Sequence, residues 1–397
     1  MIFKIIVILL LSALSGCKGG AGSPALNLPP DQSTPVDNNE ESASLYSVKE
    51  YILPSMEIYS DSHGGFDINV ANDETIVVAG LIKVFDPNLG SYPQKAILWN
   101  ISDEVISFNE LESGTKIFKT NYYGSGGRDQ NYVRLVFDDG GLPLIGYINN
   151  SGKFKIISAS GIVADTNIDC DHIASSFDED LRAYRFSCLK NITVSNTDMK
   201  LNIINSVGNL IQSKTYTDKG SMNSSHAYKS RNGEPYVFVK NYANQNKEYN
   251  LSLLTNNGIQ VLALGQLQSG NLQLSAFDGK DNLCATTSNI TAKRYDVSQA
   301  GTSPLVGVTE NVNKTLPSCL TLSSTESLFY NETSFPNADP YSGERGYILN
   351  DNGKKIFDLN TYGFKKIFTA KKIADDLFII GIEAKTNQAK ILKIRRL

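Results

Sequence analysis

Lys366–Lys372 (KIFTAKK), Leu377–Ile382 (LFIIGI) and Ala389–Ile394 (AKILKI) are three short apolar runs, after which the chain stops. Each suits a strand and is too short for an ordinary helix. Asp375-Asp376 punctuates the first gap. Three strands make a sheet with an open edge, and open edges invite unwanted pairing. At the other end of the body, Tyr46–Tyr59 is strand-like and has no partner of its own. If that stretch completes the last sheet, the chain closes into a ring.

Working outward, the same unit recurs. Hairpin signals stand at Asn72-Asp73-Glu74, Asp138–Gly141, Asp178-Glu179-Asp180, Arg231-Asn232-Gly233, Asp278–Asp281, Ser324-Thr325-Glu326 and Asp375-Asp376. From Asp73 to Asp375 there are six intervals over 302 residues, a mean of about 50, which is a propeller-blade period. Apolar strands follow these signals at Thr75–Ile82, Leu142–Ile148, Leu181–Cys188, Pro235–Val239, Phe329–Phe335 and Leu377–Ile382. Second turns rich in Asn and Gly come next, for example Asn149–Gly152 and Asn350–Gly353, because both residues accept the positive φ of tight hairpins. The pattern predicts an all-β chain: a β-propeller of seven four-stranded blades, closed by the N-terminal strand in the last blade. Trp99 is the only tryptophan, which excludes propellers that repeat a tryptophan in every blade. Leu142–Ile148 followed by Gly152–Ile156 looks like a sialidase-type blade, but the aspartate box of that group is absent.

Residues 1–16 carry Lys4, then the apolar run Ile5–Leu11, then small residues ending at Leu14-Ser15-Gly16-Cys17. The run is too short to span a bilayer, which takes about 20 apolar residues, and it suits a signal peptide. The four residues resemble the bacterial lipobox. That resemblance implies cleavage before Cys17, diacylglycerol on its thiol and acylation (palmitate) of the new amine, with two or three chains giving a stable membrane anchor. Lys18 in place of Asp implies the outer membrane. Residues 17–44, rich in Gly, Pro and acids, read as a disordered tether. The propeller would occupy 45–397.

Lys and Arg number 37 against 41 Asp and Glu, a net charge of −4. No basic stripe points to nucleic acid; the basic tail Lys390, Lys393, Arg395, Arg396 alternates with apolar residues like a strand with one solvated face. After Cys17 four cysteines remain, an even number that suggests disulfides in an exported chain. Cys170 and Cys188 stand nine residues either side of Glu179, so a hairpin turning there would place them opposite one another, within disulfide reach. Cys284 and Cys319 then pair by elimination, joining blades five and six.

Catalytic signatures are not found, and no cofactor is expected. His63, His172 and His226, with Asp171, fall at the starts of inner strands and form a candidate ligand site at the channel mouth. Asp165, Asn167 and Asp169 alternate like the start of a calcium loop; the same alternation marks a half-exposed strand. Tyr122-Tyr123, beside a glycine-rich run, offers a binding lip. These features fit three functions. The first is an envelope scaffold that binds a protein or glycan partner, the second a propeller enzyme acting on glycans, the third a structural component of an envelope complex.

Overall fold

The computed structural model describes residues 45–54, 65–84, 88, 90–114, 116–118, 133–192, 197–218, 223–242, 249–267, 272–287, 292–297, 305–309, 318–331 and 344–397. They form seven antiparallel four-stranded sheets arranged as the blades of a propeller. The chain enters through β1 (Tyr46–Ile52). Blade one is β2 (Phe66–Val70), β3 (Ile76–Lys83), β4 (Gln94–Ser102) and β5 (Val105–Gly114). Blade two is β6 (Val133–Phe137), β7 (Pro143–Ile148), β8 (Lys153–Ser158) and β9 (Gly161–Asp169). Blade three is β10 (His172–Asp178), β11 (Ala183–Asn191), β12 (Thr197–Asn205) and β13 (Leu210–Asp218). Blade four is β14 (Asn223–Arg231), β15 (Glu234–Tyr242), β16 (Tyr249–Thr255) and β17 (Gly258–Leu267). Blade five is β18 (Gln273–Phe277), β19 (Lys280–Thr286), β20 (Ala292–Asp296) and β21 (Leu305–Thr309). Blade six is β22 (Ser318–Thr321), β23 (Glu326–Tyr330), β24 (Gly346–Asn350) and β25 (Lys355–Asp358), followed by a 3-10 turn at Leu359–Tyr362. Blade seven is β26 (Phe364–Ile373), β27 (Asp376–Glu383) and β28 (Ala389–Arg396), with β1 outermost.

The expected closure is present. Tyr46 pairs with Arg396 and Ile52 with Lys390, antiparallel along the whole of β1. The second strand of each blade lies between two neighbouring sheets, so it is apolar on both faces: β27 is buried at every position and β3 at all but the last. Outer strands such as β5 and β9 face solvent and carry polar residues. Two-residue hairpins join inner strands to their neighbours where both central residues take positive φ, at Asn232-Gly233 (49° and 76°) and Asp278-Gly279 (48° and 68°). The short inner-to-second and third-to-fourth hairpins share one side of the ring, termed here the turn face.

Hydrophobic clusters fill the spaces between neighbouring blades. That between blades seven and one stacks Phe66, Trp99 and Phe368 across the closure. Among the described residues, that between blades five and six is the smallest, and two of its six members are Cys284 and Cys319. These cysteines are bridged, with Cα atoms 5.7 Å apart, from the second strand of blade five to the first of blade six as expected. The bridge staples the smallest of these clusters among the described residues.

Cys170 and Cys188 are bridged too, with Cα atoms 5.4 Å apart, but the reasoning that paired them is corrected. The hairpin does not turn about Glu179: Asp178 pairs with Ala183 across a four-residue turn, and Cys188 lies opposite Ile173. Cys170 sits in the crossing between β9 and β10, held by its N–H to Gly152 O. The sequence window for blade six is also shifted, because β23 spans Glu326–Tyr330 rather than beginning at Phe329. In the basic tail Arg395 and Arg396 are exposed, Lys393 is half-buried and Lys390 is buried. Each is paired: Lys393 and Arg395 with Asp376, Lys390 with Glu50 and Arg396 with Glu326.

Replacing either cysteine pair by alanine is expected to cost about 3 kcal/mol. Loops of 18 and 35 residues are closed, and a doubled loop adds about 0.6 kcal/mol. Guanidinium melts of the two double variants should therefore rank Cys284/Cys319 as the more costly loss, and the reverse order would contradict the staple argument.

Candidate functional site

Where the inner strands meet the axis, ionisable side chains tie blades together. Asp67 Oδ1 accepts the N–H of Ile68 and a bond from Lys371 Nζ at 3.2 Å, while Oδ2 accepts the N–H of Leu135 in the next blade at 2.8 Å. Asp178, fully buried, accepts from Ser230 Oγ at 2.6 Å and from the N–H groups of Leu181 and Gly233, with Arg185 Nε 3.6 Å away. Burial opposes its charge, yet these partners outweigh burial and hold its carboxyl below the ordinary range. Both aspartates latch one inner strand to the next.

His172 opens β10 and His226 lies inside β14, both buried on neighbouring inner strands. His226 Nε2 and Ser187 Oγ share a hydrogen bond of 2.8 Å. Burial first, then the positive charges of His172 and Arg134, keep the His226 imidazole well below its ordinary pKa, against a hydrogen bond with the Ser187 backbone. Asp171 accepts Lys190 Nζ at 2.9 Å and the N–H of Asn191. So the structure brings Arg134, His172 and His226 together, while Asp171 points into a salt bridge. His63, Cys17 and Tyr122-Tyr123 lie outside the described residues. Asp165, Asn167 and Asp169 stand on the exposed face of β9, and Asp169 pairs with Lys153 at 2.9 Å. Among the described residues no group of three or more His, Cys, Asp or Glu is placed to hold a metal.

The imidazole of His226 stays neutral in the fold and titrates near pH 6.5 when unfolded, so the unfolded chain binds the extra proton. Stability from this residue is complete above that pH and falls as acid is added. His226→Gln should flatten the loss of melting temperature between pH 7 and pH 5. An unchanged slope would mean that the imidazole is not held neutral.

One cavity of about 510 Å³ opens on the turn face, between blades five, six and seven. It lies beside the four-residue inner strand β22, and Lys372 of β26 donates across it to Ala276 O of β18 at 3.3 Å. Leu322, Ile348, Leu377 and Ile394 make its apolar wall. Its rim carries Asp278, Glu326, Lys372, Asp375 and Arg396. Burial lowers the Lys372 ammonium pKa, opposed by Asp375 and Asp278. Arg396 Nη1 and Tyr46 Oη both bond Glu326, at 2.6 and 3.2 Å, so the closing strand forms part of the wall. The volume lies in the ordinary range of small-ligand sites. No sequence signal marked this place, since its walls come from segments far apart in the chain.

No protein-family profile matches the chain, and no curated protein matches it. Solved structures do. Raptor from Chaetomium thermophilum superposes with a TM-score of 0.51 at 9% identity, over 90% of this chain and 29% of its own. The β-propeller domain of the Trilobed protease from Pyrococcus furiosus, described as having an open velcro topology, gives 0.48 at 9%, over 85% of this chain and 96% of that one. Acylaminoacyl peptidase from Pyrococcus horikoshii gives 0.43 at 11% over 80% of this chain. The chain spans about half the length of that peptidase. These likenesses concern the fold only.

Proposed function

We propose that this chain is a lipid-anchored protein of the bacterial cell envelope, held at the outer membrane through Cys17, whose propeller is a binding scaffold. The cavity on the turn face carries the reading: it is apolar within and charged at its rim, whereas Asp67 and Asp178 near the axis are engaged in joining blades. Leu14-Ser15-Gly16-Cys17 supports the anchor.

Two measurements test it on the full-length chain in cells. A palmitate analogue should label the wild type and not Cys17→Ala; equal labelling removes the anchor. A photo-crosslinking residue at Ser323, on the cavity rim, should give a discrete adduct that is absent with the probe at Thr215 on β13 and lost when Ala276→Trp fills the cavity. No adduct, or one from both positions alike, removes the scaffold. Release of sugar from envelope glycan by the purified chain would replace it with an enzyme.

A further inference from the structure

On the turn face, away from the cavity, blades two and three present large apolar side chains to solvent. Leu142 is 61% exposed, Phe177 43% and Leu181 54%. Single exposed residues of this kind are ordinary, but these stand on the turn-face hairpins of two neighbouring blades, and Phe177 is backed by rings. The Tyr184 ring lies edge-on to Phe177 at 4.9 Å and to Phe137 at 6.5 Å, linking the hairpin of blade three to that of blade two. Its hydroxyl accepts Asn69 Nδ2 from blade one at 3.5 Å, beneath the short strand β6. Phe177 therefore sits on an aromatic base tied to three blades, which costs little ordering when something binds.

Charge selects the occupant. The two hairpins carry Asp138, Asp139, Glu179 and Asp180 against Arg182 alone. Asp138 is fixed by the N–H groups of Gly140 and Leu142, and Asp180 by the N–H of Asn232. Four carboxylates repel anionic lipid headgroups and favour a cationic partner. β1 begins on this same face, since Tyr46 lines the turn-face cavity. The acidic hairpins favour a polypeptide partner over an anionic bilayer.

We infer that the turn face over blades two and three docks a basic polypeptide segment, whose cationic side chains meet the acidic hairpins while an apolar side chain settles among Leu142, Phe177 and Leu181. The inference rests on the scaffold reading and names its partner's chemistry. Neither apolar residue to be changed, Phe177 or Leu181, is a core side chain, so the variants should melt with the wild type.

The probe is a fluorescent synthetic peptide of alternating lysine and leucine, titrated by anisotropy against the purified full-length chain. Binding should weaken about tenfold in Phe177→Ser with Leu181→Ser, the loss of one good anchor, and about threefold in Asp139→Asn with Glu179→Gln, the larger part of which added salt should reproduce. A glutamate–leucine peptide and vesicles containing anionic lipid should not bind this face. Equal binding of the acidic peptide, or indifference to both variants, overturns the inference. Vesicle binding that the serine variants abolish would assign the face to lipid and overturn it likewise. A surviving adduct at Ser323 with no peptide binding sinks the docking face alone, and loss of the adduct sinks the scaffold itself.

Discussion

Deleting residues 46–53 is expected to open the ring and remove most of the domain's stability. Those residues supply the outer strand of blade seven, and Tyr46, Tyr51 and Leu53 are 7%, 8% and 0% exposed. Burial of each is worth about 2 kcal/mol, so the strand contributes about 6 kcal/mol before its ladder bonds are counted. Folded domains have a total margin of roughly 5–15 kcal/mol. The loss reaches beyond one blade. Tyr51 and Leu53 belong to the cluster between blades seven and one, and Tyr46 to that between blades six and seven. The deletion also bares the edge of β28, with Ile391 and Ile394 beside it, which is a template for pairing with another chain. Denaturant melts should show a much lower midpoint and sedimentation should show association. A monomer with the wild-type midpoint would mean that the ring holds without its closure.

Gly381→Ala is expected to be severely damaging, at about 3 kcal/mol or more. A Cβ there would stand 2.2 Å from Lys366 O and 2.6 Å from Phe364 Cδ1. The first contact is main chain of the paired inner strand, which has two register irregularities here already and cannot yield cheaply. Gly146 offers the comparison. Its Cβ would meet the Phe186 ring at 2.5 Å, and a ring on a neighbouring blade can pivot, so Gly146→Ala should cost about half as much. Chemical melts of the two variants decide the order. Equal losses would show that the inner strand of blade seven moves as readily as a side chain.

These glycines also show what a reading of the chain passed over. Gly80, Gly146 and Gly381 stand at similar places in the second strands of blades one, two and seven, within VVAGLI, PLIGYI and FIIGIE. All three lie against an aromatic ring, Gly80 against Trp99, Gly146 against Phe186 and Gly381 against Phe364. Apolar–glycine–apolar recurs at that place in three of the seven blades, visible once strands are aligned by their hairpins rather than by intervals. The intervals are uneven because crossings between blades differ in length, which obscures the repeat in a plain count.

The number of blades, the closing strand and the approximate place of most strands follow from the order of residues alone. They depend on local matters: apolar runs of strand length, Asn and Gly where φ must be positive, and a three-stranded end with a spare strand at the front. Both cysteine pairs form, but Cys170 meets Cys188 from a crossing and not across the hairpin that the sequence suggested. What only the folded ring decides is the register of the β10–β11 hairpin, the meeting of His226 with Ser187, the latches at Asp67 and Asp178, and the cavity beside β22. Except for the hairpin register, each of these joins residues of different blades, from 39 positions apart for Ser187 and His226 to 304 for Asp67 and Lys371, and no short-range preference encodes their distance.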